Sequence, residues 1–152
     1  MKNPRISILV SVLVLAAVAF GQTPDKLREK YGPPDEKGRY TVRPGISLEL
    51  KTGPDRSALS MSIKPFDADV VEPGSGRKFR SYPKTMNNDL ALKILEELVS
   101  SNTRGKETAS FVEWRGCTTI TSKEYEHVAI SIVTRCEAAG GGTYSIHIQW
   151  RK

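Results

Sequence analysis

Four stretches of this chain alternate apolar and polar residues with period two, and that alternation constrains the fold more than any other feature. Ile46, Leu48 and Leu50 alternate with Ser47, Glu49 and Lys51, and Leu59, Met61 and Ile63 with Ser60, Ser62 and Lys64. Further on, Val128, Ile130 and Ile132 alternate with His127, Ala129 and Ser131, and Tyr144, Ile146, Ile148 and Trp150 with Ser145, His147, Gln149 and Arg151. Successive side chains of a strand point to opposite faces, so each stretch predicts a ribbon with one greasy and one wet side. Thr52 to Ser57 and Ala138 to Gly142 are the turn clusters between the members of each pair. Shorter strands are expected at Tyr40 to Arg43 and at Phe111 to Arg115.

Greasy strand faces need a cover, and two helical segments supply it. Thr23-Pro24-Asp25 opens the first: a hydroxyl to cap free amides, a ring suited to the first helical position, and a carboxylate at the positive dipole end. Leu27 and Tyr31 form its narrow apolar stripe, and Gly32-Pro33-Pro34 stops it. The second runs from about Asn88 to Ser101, capped by Asn87 or Asn88, with Leu90, Ala91, Ile94, Leu95, Leu98 and Val99 on one side. Between the two units, residues 65 to 86 carry five breakers, Pro65, Pro73, Gly74, Gly76 and Pro83, and read as a linker with a short extended piece at Lys78 to Tyr82. The expected fold class is α+β. An antiparallel sheet carries two helices on one face, and the possible halves 22–66 and 85–152 suggest a tandem helix-plus-hairpin duplication offset by 64 residues. The opposite face is left solvated.

Residues 1 to 21 have the three parts of a secretory signal: Lys2 and Arg5, an apolar run from Ile6 to Phe20, and the small-residue exit Ala19-Phe20-Gly21. Cleavage after Gly21 leaves 131 residues, one α+β domain from 22 to 152; the rival reading is an uncleaved anchor. Downstream, the longest apolar run, Leu90 to Val99, is interrupted by Lys93, Glu96 and Glu97, so no later membrane span is expected. The expected location is exported, periplasmic or extracellular. Without Lys2 and Arg5 the chain holds 21 Lys and Arg against 17 Asp and Glu, interspersed, with no basic arm that would point to nucleic acid.

Cys117 and Cys136 are the two cysteines of the chain, and in an oxidising compartment one disulfide is the economical reading, with two free thiols the alternative. Register complicates it. A hairpin of the Phe111 and Val128 strands centred on Lys123-Glu124 would set Cys117 opposite Ile130, about 20 Å from Cys136. A bridge on this reading requires residues 117 to 125 to loop back along the sheet rather than continue the hairpin.

The stretch Leu27-Arg28-Glu29-Lys30-Tyr31-Gly32-Pro33-Pro34 followed by a hairpin resembles the envelope modules of the small outer-membrane lipoprotein A type, and a tandem pair of such units resembles the β-lactamase inhibitor protein family. Tyr40 to Ile46, Gly116-Cys117 and Tyr125 to Val128 are similar to stretches of exported bacterial proteins. The resemblance implies action by protein–protein contact, and for the inhibitor an acidic hairpin tip, a place that Asp55 occupies here. Asp in a turn is also ordinary turn chemistry.

Catalytic chemistry is sparse. No nucleophile elbow, phosphate loop or zinc spacing is present, and no cofactor is expected. The alternative to a binding module is a metal-assisted hydrolase, in which His127 and His147 meet with Glu124 or Glu126, or else an enzyme inhibitor. Asp67, Asp69 and Glu72 lack the ligand count of a calcium loop, and Gly74 to Arg80 reads as a surface loop rather than an anion site. The preferred expectation is a non-enzymatic module with no metal. It binds another protein or an envelope component through the solvated sheet face, at His127, Ser131, Arg135, His147, Gln149 and Arg151. Trp114 joins them as an aromatic anchor if it faces outward.

Overall fold

The computed structural model describes residues 22–66, 69–71, 74–76, 78–80 and 85–151; the leader, Asp67, Glu72, Arg77 and Tyr82 lie outside them. Helix α1 (Pro24–Tyr31) starts as its sequence dictates, with the Thr23 hydroxyl accepting the Lys26 amide and Pro24 in the first position. It stops at Gly32, whose φ of 81° closes the last turn with an amide to the Arg28 carbonyl. Two turns do not hold alone, and α1 is held by Leu27, which is fully buried.

Three antiparallel strands follow, β1 (Arg39–Arg43), β2 (Ile46–Thr52) and β3 (Ala58–Pro65). The breaker-rich stretch after them contains a small two-stranded ribbon, β4 (Asp69–Val71) with β5 (Lys78–Arg80). Helix α2 (Asn88–Leu98) is capped by the Asn87 side chain, which accepts the amides of Asp89 and Leu90. It ends three residues before the expected Ser101, because Val99 turns to extended backbone, and a second short helix, α3 (Ser101–Arg104), begins. Glu96 spans the break: one carboxylate oxygen accepts the Ser101 amide at 2.6 Å and the other the Arg104 guanidinium at 2.6 Å. Those contacts, the Ser101 amide foremost, hold the Glu96 carboxyl below its ordinary range.

The last part of the chain is a four-stranded meander, β6 (Glu107–Arg115), β7 (Thr118–Tyr125), β8 (Val128–Arg135) and β9 (Gly142–Trp150). Strand β9 pairs with β3, which closes one seven-stranded sheet in the order β1-β2-β3-β9-β8-β7-β6. Strand β7 overturns the expected hairpin. Thr118 to Tyr125 is too polar to show apolar alternation, yet its β-branched residues suit a pleated ribbon. The turn into it is Gly116-Cys117, with Gly116 at φ 59°, and the turn out of it is Glu126-His127.

That second turn also corrects the cysteine argument. The β7–β8 hairpin is centred on Glu126-His127, not on Lys123-Glu124, so Thr118 pairs with Arg135 and the two cysteines fall opposite each other at the strand ends. Their α-carbons are 5.2 Å apart, Cys136 donates its amide to the Cys117 carbonyl, and the side chains form a disulfide. No looping back is needed.

The core is one buried cluster. It joins Leu27 of α1 and Ala91, Ile94, Leu95 and Leu98 of α2 with Leu48, Met61, Ile63, Val128, Ile130, Ile146 and Ile148 of the sheet. Register puts the central strand residues on the same side: Met61 beside Ile148 beside Ile130, and Ile63 beside Ile146 beside Ile132. Near the start of β9 a bulge shifts the pattern, and Tyr144 leaves the apolar side where alternation placed it. Thr143 takes the core position instead, donating its hydroxyl to the Asn88 side chain at 2.8 Å and exchanging backbone hydrogen bonds with Met86. Among the described residues no helix is long and apolar enough to cross a membrane.

Candidate functional site: the polar face of the sheet

Register draws straight rows of side chains across the face opposite the core. One row runs Arg39, Glu49, Ser62, His147, Ser131, Ser122, Phe111, a residue from each of the seven strands. At about 4.8 Å per strand it is roughly 29 Å long. A second row runs Lys51, Ser60, Gln149, Ala129, Glu124, Ala109. Strand β9 is the middle of the sheet, with three strands on each side, and still leaves His147 and Gln149 exposed.

Local contacts set the character of this surface. His147 shares a hydrogen bond with the Ser145 hydroxyl at 3.1 Å through Nε2. Partial burial, with the Lys64 ammonium adding to it, pushes its imidazole below the ordinary value, so the ring favours its neutral form. Lys64 itself pairs with Glu49 at 3.4 Å. Arg135 stacks its guanidinium 4.2 Å from the Tyr144 ring centre, and Arg151 reaches Glu124 at 2.6 Å. The face is not bare everywhere: Arg39 lies against the Phe66 ring at 5.1 Å, and Ser47 and Ser145 are buried.

Of the residues expected to form the surface, the structure brings Ser131, Arg135, His147, Gln149 and Arg151 onto this face. His127 departs from expectation. It sits in the turn before β8, where its amide donates to the Arg104 carbonyl and its carbonyl accepts the Arg151 amide. Ser131 is the residue level with His147, so His127 lies four residues further along, about 13 Å away. Glu126 is turned to the Lys106 amide at 2.8 Å and Glu124 to Arg151. The two histidines therefore do not converge, and among the described residues no group of three His, Cys, Asp or Glu is placed to hold a metal. Asp55, the hairpin-tip acid, accepts the amide and hydroxyl of Ser57 with one oxygen. The loops considered for calcium and for an anion have side chains largely outside the described residues.

Strand β6 holds what periodicity did not reveal. Its Phe111-Val112-Glu113-Trp114 run has apolar residues on both faces, so no alternation marks it. The structure leaves Phe111 58%, Val112 45% and Trp114 73% exposed. Trp114 does face solvent, but beside Thr119, on the core side of the sheet beyond the last buried strand, and not on the polar face. Comparison with protein-family models, curated proteins and solved structures gives no match.

Proposed function

We propose that this chain is an exported, non-enzymatic binding module that touches another protein or an envelope component through the polar face of its sheet. The observation that carries the reading is the pair His147 and Gln149: a central strand flanked on both sides is the place where a fold most readily buries side chains, and here it keeps two polar ones open. On this reading both helices cover the other face, which the shared core of Leu27, Ile94, Leu98, Ile146 and Ile148 supports. A helix followed by antiparallel strands occurs twice in chain order, α1 before β1–β3 and α2–α3 before β6–β9, which supports the tandem layout. The disulfide and the absence of a spanning helix among the described residues agree with export. Around His147 and Gln149 stand Lys51, Lys64, Arg135 and Arg151 with Glu49 and Glu124, a mixed and mildly basic field suited to an acidic or mixed partner surface.

Co-purification from the exported fraction tests this. A partner retained by the native protein should be lost from the double variant Arg135→Glu, Gln149→Glu while the variant keeps its circular dichroism spectrum. Retention at native levels would refute the surface assignment.

A further inference from the structure

We draw no further inference here: the strongest candidate, the apolar patch on edge strand β6 where Phe111, Val112 and Trp114 stand exposed, carries nothing because nothing in the structure shows what covers it.

Discussion

Two glycines with positive φ separate conformational cost from steric cost. Gly116, in the β6–β7 turn at φ 59°, has nothing within 4 Å of where a β-carbon would stand. Gly116→Ala should therefore cost only the left-handed backbone penalty, about 1 kcal/mol. Gly142, at φ 86°, would place that carbon 2.6 Å from the Met86 carbonyl oxygen, where β9 and the entry to α2 exchange hydrogen bonds. Gly142→Ala should lower the urea midpoint clearly more than Gly116→Ala; equal effects would contradict the close approach seen here. His147 gives a pH test. Its folded imidazole titrates below the ordinary 6.5, so the unfolded chain takes up a proton first as pH falls. Stability associated with the neutral ring is present above that ordinary value and is lost as pH drops towards the folded value. Thermal midpoints should fall between pH 7.5 and 5.5 in the native protein and fall less in His147→Gln, a window above the range where Glu96 and Asp35, both held low, begin to protonate.

Among the elements, the β7–β8 hairpin depends most on a covalent tie. Neither β7 nor β6 contributes a buried residue, so this wing draws little stabilisation from the core, and the Cys117–Cys136 bridge closes its open end. A loop with a separation of 19 residues gives about 3 kcal/mol in the chain-entropy account. Cys117→Ser with Cys136→Ser should lower stability by that order, and amide exchange should rise in β6 and β7 before β3 and β9; uniform exchange across the sheet would contradict the division. The same contrast explains what the sequence disclosed. Strands β2, β3, β8 and β9 border a core on one side, so their residues alternate and can be read directly. Strands β6 and β7 contribute no fully buried residue and touch the core only through Tyr125, so no apolar period marks β7 in the sequence. The end of α2 was hidden for another reason: Glu96 caps α3 through a side chain five residues back, a contact that no helix-stop residue announces. On the site, register depends on turns: a direct hairpin of the Phe111 and Val128 strands about Lys123-Glu124 leaves out β7 and so misplaces the cysteines. Reading His127 as a strand residue likewise misplaced it, whereas His147, Gln149 and Ser131 followed from alternation alone.

For the whole molecule, one seven-stranded sheet shares a single buried cluster with α1 and α2, and a row of residues, one from each strand, crosses its polar face. Tie points hold that arrangement at its corner: Glu97 of α2 receives Lys30 of α1 at 3.5 Å and Arg43 of β1, and the Gln22 side chain donates to the Leu98 carbonyl at 2.9 Å. Such exposed pairs add little free energy each, so the buried cluster must dominate stability. In the function proposed above, the polar side of the sheet meets the partner and the outer surface of α2 does not. Site-specific photo-crosslinking in the exported fraction measures this directly, with the reactive group at Gln149 on the sheet or at Lys93 on the outer surface of α2. A discrete adduct is expected from Gln149, abolished by Arg135→Glu, and none from Lys93. An adduct from Lys93 alone would contradict it.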